Sequence, residues 1–150
     1  MGEGHQALRK GRHSRRGQVY LVTFTTWQRA PLFADAALGL VAAPVMGDAV
    51  RRADARLLAW VLMPDHWHGL VELGDAGLGK VVRRVKGTSA RRLRLAFPGI
   101  GHVWAPAYHD RALRQEEDLQ AAARYLVANP VRAGLVRSVR DYPLWDAAWL

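Results

Sequence analysis

The chain has no cysteine, so it carries neither a disulfide framework nor a thiolate metal site, and packing alone must hold its fold. No apolar run approaches the roughly 20 residues that a membrane-spanning helix needs. The basic N-terminus is not followed by the apolar core of a secretion signal. Both absences suit a protein that works in a reducing cytoplasm. Carboxylates are scarce: 13 Asp and Glu face 22 Lys and Arg, for a net charge of +9 in 150 residues. Such a surface favours a polyanionic partner, nucleic acid first among them. There is no internal repeat and no interior linker, and the length suits a single core. A basic arm is expected over residues 1–18 and one domain over 19–150.

Within that domain, Pro64-Asp65-His66-Trp67-His68 is the most informative stretch. It follows the apolar run Leu57 to Met63, which has the character of a buried strand, and precedes Gly69 to Leu73, which continues a second strand. Side chains alternate along a strand, so His66 and His68 emerge on one face and Trp67 enters the core behind it. Two imidazoles fixed side by side are half of a divalent-metal site. Taken alone, the pair is equally consistent with hydrogen-bonded surface histidines.

A second constellation lies in residues 116–130. Leu119, Ala122, Ala123 and Leu126 are spaced as the buried stripe of a helix, and Glu116, Glu117 and Asp118 favour its positive end. Pro130 is expected to stop the helix near Asn129, with Gly134 closing the following turn. Tyr125 and Asn129 are four apart and share a face at the edge of the stripe, and Ala121 and Ala128 leave the phenol uncrowded. A half-buried aromatic followed by a helix-capping Asn gives the same pattern.

Positive charge is clustered. Between Ala76 and Phe97 stand Lys80, Arg83, Arg84, Lys86, Arg91, Arg92 and Arg94, with no acidic residue among them. Leu78, Val81, Val82 and Val85 form the opposite, buried stripe of this helix, and Gly87-Thr88-Ser89 is expected to loosen it in its middle. The arm adds Arg9, Lys10, Arg12, His13, Arg15 and Arg16. Phosphate contacts of this kind give salt-sensitive affinity with little sequence information.

The remaining elements complete an α+β scaffold: a strand over Val19 to Thr26, a helix over Asp35 to Ala53 kinked or split at Pro44 and Gly47, and a strand around Val103 to Leu113. The order β-α-β-β-α-β-α is the ferredoxin-like split arrangement, an antiparallel sheet with one added C-terminal helix. Its helices should cover one face, and the His pair and Tyr125 should approach the other. Trp104, Trp145 and Trp149 are expected in the core or packing the tail, and the tail from Tyr142 is expected either to pack on the body or to cover the site.

Taken in order, these segments resemble a family. Gly11-Arg12-His13-Ser14, Val19 to Phe24, Arg29-Ala30-Pro31-Leu32-Phe33, Met63 to His68, Lys86-Gly87-Thr88-Ser89, Val103-Trp104, Tyr108-His109-Asp110-Arg111 and Tyr125 to Val136 are similar to the REP-associated tyrosine transposases. These are relatives of the single-tyrosine transposases of small insertion sequences, within the HUH (His-hydrophobe-His) endonucleases. One departure is Asp65, where that family more often has Asn, which sets a free carboxylate beside the metal site.

The resemblance implies a metal-dependent single-strand DNA endonuclease and strand transferase. His66, His68 and Asn129 would hold Mg²⁺ or Mn²⁺, and Tyr125 would attack a phosphodiester to leave a 5′-phosphotyrosine and a free 3′-hydroxyl. A phenol, with an ordinary pKa near 10, needs activation for that role. His109 and Asp110 are candidates for support. The implied substrates are hairpins of repetitive extragenic palindromes (REP) with a flanking tetranucleotide, met at the nucleoid. A monomer with its tyrosine acting in cis is favoured over a dimer. Two rivals stay open: a domesticated module that only binds hairpins, and a phosphodiesterase that activates water.

Overall fold

The computed structural model describes residues 16–114 and 118–149. The elements are β1 (Val19–Thr25), α1 (Ala36–Arg52), β2 (Ala55–Met63), β3 (His66–Leu73), α2 (Leu78–Ala96), β4 (His109–Ala112), α3 (Leu119–Val127), α4 (Asn129–Arg132) and β5 (Trp145–Ala147). Among the described residues, five strands form one antiparallel sheet in the order β4-β1-β3-β2-β5. This is the expected split ferredoxin-like sheet with a short C-terminal strand added at the β2 edge.

The sheet separates two apolar clusters. On one face, Tyr20, Val22, Phe24, Leu62, Trp67 and Val71 pack against α1 and α2. On the other, Val61, Met63 and Leu70 pack against Ala123, Leu126 and Val127 of α3. Strand alternation produces this division with one interruption: the β2–β3 register shifts between Leu57 and Ala59, a bulge that sets Leu58 and Ala59 together in the α3 cluster. Trp67 is fully buried and stacked on Phe24 at 5.0 Å between ring centroids. Its indole lies across Gly69, where an added Cβ would stand 2.0 Å from the ring, so glycine is required there.

Two expected breaks do not occur. α1 runs unbroken through Pro44 and Gly47. The carbonyl that Pro44 deprives of its helical donor belongs to Leu40, which is exposed, so water can take the bond. α2 likewise continues through Gly87, because its buried stripe extends from Val85 through Ser89 to Leu93. That burial outweighs a glycine penalty of about 1 kcal/mol. The Ser89 hydroxyl donates to the Val85 carbonyl at 2.6 Å and accepts from the Trp104 indole at 2.9 Å.

The fourth strand is shorter than expected. Trp104 makes only an isolated bridge to Thr26, and regular pairing begins at His109. Trp104 packs instead on Phe24 and Phe33. The helix of Tyr125 stops as expected, at Val127 with Ala128 as its cap. Pro130 then occupies the first turn of α4, where its missing N–H costs nothing, so the chain resumes a helical course after the turn at Ala128. Gly134, at φ +75°, closes α4 as expected, with the Leu135 N–H bonded to the Pro130 carbonyl.

The tail packs on the body. Leu144 is buried against Gly39 of α1, the Tyr142 hydroxyl donates to the Leu62 carbonyl, and β5 pairs with β2. Burial pushes the Tyr142 hydroxyl pKa up to about 12. Trp145 lies in β5, with its indole bonded to the Val139 carbonyl, and Trp149 is exposed.

Candidate active site

β2 and β3 are joined by the two-residue turn Pro64-Asp65, with Met63 paired to His66. Residues directly opposite in antiparallel strands project to the same face, so the pairings of Thr25 with His66 and Thr23 with His68 set all four side chains on the α3 face. The imidazoles meet edge to face at 4.6 Å between centroids. Each has its inner nitrogen engaged. His66 Nδ1 donates to Asp65 Oδ1 at 2.7 Å, and His68 Nδ1 is hydrogen-bonded to the Thr23 hydroxyl at 2.8 Å. Such partners fix the ring orientation and leave Nε2 as the nitrogen that could bind a metal.

Asp65 is therefore not the free carboxylate expected from the sequence. Its second oxygen accepts from Arg29 Nε at 3.1 Å and pairs with Nη2 at 3.0 Å. Burial raises the Asp65 pKa, but bonds from His66 and Arg29 outweigh it and hold the carboxyl below its ordinary range. Arg29 and its neighbour Gln28 both sit at φ +55°, a left-handed strain of about 1 kcal/mol or more each. That strained turn delivers the guanidinium to Asp65. His68 is mostly buried, and desolvation, then the charges of His66 and Arg132, push its pKa down to about 4. It is neutral at physiological pH, the form in which an imidazole can bind a metal.

α3 begins at Asp118, whose carboxylate caps the Ala121 N–H at 3.1 Å. Its apolar stripe packs against β2 and β3 of the same chain. Tyr125 points away from that stripe and is 67% exposed, more open than a half-buried packing residue. Arg132 lies over its ring, 3.8 Å from the centroid, and donates from Nη1 to the Tyr125 carbonyl at 2.7 Å. Asn129 is half-buried at the α3–α4 junction, and its Nδ2 donates to the Leu126 carbonyl at 2.9 Å, which leaves Oδ1 as the atom that could face a cation. His66, His68, Tyr125 and Asn129 thus belong to one layer of the molecule, the sheet face and the helical segment that covers it.

His109 pairs with Thr23 on the strand's other side and so stands in the same cross-strand row as His68, whereas Asp110 is on the opposite face. The sequence offered no signal for Thr23 or Arg132: the first needed the strand register, and the second needed the path of the chain beyond Pro130.

The basic cluster of α2 is elsewhere. Lys80, Arg83, Arg84, Arg91 and Arg92 are exposed on α2, on the layer opposite Tyr125. Lys86 is not an outward-facing cation. Its ammonium donates to the Ala105 and Ala107 carbonyls at 2.8 and 2.7 Å and lies over Phe24, and burial lowers its pKa to about 8. Arg16 is paired with Asp75 at 2.7 Å, beyond the end of β3 farthest from His66. Arg12, His13 and Arg15 lie outside the described residues.

Comparison with known proteins agrees with this architecture. The family described as "Transposase IS200 like" matches residues 15–129, most of the chain. The chain belongs to the IS200-like transposase family. A curated relative, the REP-associated tyrosine transposase of Escherichia coli K12, is 30% identical over 87 residues, covering 57% of this chain. The match spans about half the length of that relative (50%). A solved REP-associated tyrosine transposase bound to a REP hairpin superposes with a TM-score of 0.68 at 24% identity, covering 89% of this chain and 78% of that one. A transposase structure from Deinococcus radiodurans R1 gives 0.58 at 23% identity, over 78% and 96%. The chain thus shares their fold. Among its described residues, no helix is long and apolar enough to cross a membrane.

Proposed function

We propose that this transposase is a single-strand DNA endonuclease and strand transferase in which Tyr125 is the nucleophile. The observation that supports this is a pair of imidazoles, each with Nδ1 already held, on the sheet face covered by α3, the helix that carries an exposed tyrosine. The donor set fits a divalent cation: two Nε2 atoms from His66 and His68, and the Asn129 amide oxygen. Mg²⁺ or Mn²⁺ bound there would withdraw charge from a phosphodiester as a Lewis acid.

The protein's own groups do the rest. Neutral His68 and the Asp65-held His66 keep a fixed, low-entropy frame, and the open phenol meets a strand unencumbered by a complement. The Tyr125 oxygen bonds to phosphorus as the bond from phosphorus to the 3′ oxygen breaks. The phenol gives up its proton to solvent, and the departing 3′ oxygen takes one from solvent to leave as a hydroxyl. The resulting 5′-phosphotyrosine keeps the phosphodiester energy, so reversal by a 3′-hydroxyl rejoins a strand without ATP.

The substrate we favour is a DNA hairpin of the REP type, the ligand of the solved relative, processed at the nucleoid. The packing of α3 on its own sheet favours a tyrosine acting in cis in a monomer. The basic face of α2 would hold distal DNA rather than the scissile phosphate. The test is incubation with end-labelled single-stranded hairpin DNA and Mn²⁺, followed by denaturation. A covalent adduct that Tyr125→Phe abolishes supports the proposal. Cleavage without an adduct means activated water, and binding without cleavage means a hairpin-binding module; either result refutes it.

A further inference from the structure

We propose that Arg132 is a phosphate-binding residue of this site, taking a non-bridging oxygen of the phosphodiester that Tyr125 attacks. The proposal rests on the nuclease function above and adds a group that the imidazole and amide set does not include. Arg132 closes α4, three residues after Asn129, and is exposed. Its guanidinium is stacked 3.8 Å from the centre of the Tyr125 ring, and one N–H is bonded to the Tyr125 carbonyl at 2.7 Å. Both contacts reach back across the α3–α4 junction to one residue, the nucleophile itself.

A guanidinium has five N–H donors in a planar fork, and the carbonyl takes one. The other arginines near acidic groups are spoken for: Arg16, Arg29, Arg51 and Arg52 each pair with an aspartate. Among the described residues no carboxylate pairs with Arg132. A cation beside the attacking ring, with donors to spare, matches the bidentate geometry of a phosphodiester. The stacking also holds an exposed phenol that would otherwise turn freely, so the same contact orients the nucleophile.

The test is a double-mutant cycle on the full chain. The cleavage junction is first mapped with the wild type, a hairpin oligonucleotide and Mn²⁺. Binding is then measured in the Tyr125→Phe background, which keeps the ring, with a phosphate or an uncharged methylphosphonate at that junction. Arg132→Gln should weaken binding of the phosphate oligonucleotide about tenfold, and of the methylphosphonate less than about twofold. Arg132→Lys, which keeps the cation and loses the fork, should fall between, and it carries the test if Arg132→Gln does not fold. Equal losses on both oligonucleotides overturn the proposal while leaving the nuclease intact. A wild type that forms no adduct overturns both.

Discussion

Removal of the Asp65 carboxylate should loosen the proposed metal site without unfolding the protein. Asp65 Oδ1 accepts from His66 Nδ1 at 2.7 Å, and its other oxygen is anchored by Arg29. In Asp65→Ala the imidazole loses the partner that fixes both its tautomer and its orientation. Loss of such an outer partner costs about 10–100-fold in metal affinity, or about 1.4–2.7 kcal/mol. Asp65→Asn keeps an acceptor oxygen for Nδ1 and should lose only a few-fold. The stability cost should be small, since Arg29 is largely exposed and exposed ion pairs contribute about 1 kcal/mol or less. Mn²⁺ titration followed by electron paramagnetic resonance reads the affinity, and a thermal melt reads the fold. Equal Mn²⁺ affinities for Asp65→Ala and wild type would refute the reasoning, because His66 would then need no support.

Three further outcomes follow from the same structure. His68 has its pKa depressed from 6.5 to about 4; the unfolded chain therefore binds the extra proton first, and stability should be full above about pH 6.5. It should fall by up to about 3 kcal/mol as the pH drops toward 4, and His68→Gln should flatten that dependence in urea denaturation. Gly69→Ala places a Cβ against the Trp67 indole and should cost about 1–3 kcal/mol by the same denaturation assay, whereas Gly87→Ala, with open space around it, should stabilise. In hairpin binding, Arg83→Ala or Arg91→Ala should each reduce the salt slope by about one phosphate contact. Lys86→Met should leave that slope unchanged and lower stability by about 1–3 kcal/mol, since two carbonyls lose their donor.

Much of this site was legible before any coordinates. Strand alternation alone sets His66 and His68 together and Trp67 behind them, because a period of two leaves no other choice once the strand is recognised. The helical stripe from Leu119 to Leu126 likewise requires Tyr125 at its edge. What failed were the local breakers. Pro44 and Gly87 carry real penalties, yet tertiary burial of α1 and α2 exceeds them, and a sequence window does not contain that burial. Pro130 marked the end of α3 correctly, but a residue that stops one helix also suits the first turn of the next, and α4 was not foreseen. The supports of the site were invisible because they are products of register and chain path. Thr23 reaches His68 across 45 positions, and Arg132 returns to Tyr125 only after the turn at Ala128. Charge clustering correctly predicted an outward basic helix, but not that Lys86 would turn inward or that the set would stand on the face away from Tyr125.

The most direct measurement is mass spectrometry of the protein after reaction with a single-stranded hairpin and Mn²⁺, followed by protease and nuclease digestion. The expected peptide contains Tyr125 esterified to a nucleotide 5′-phosphate, with the label otherwise on a strand ending in a 3′-hydroxyl. Cleaved DNA accompanied by an unmodified Tyr125 peptide, or by a nucleotide on any other side chain, would contradict the account.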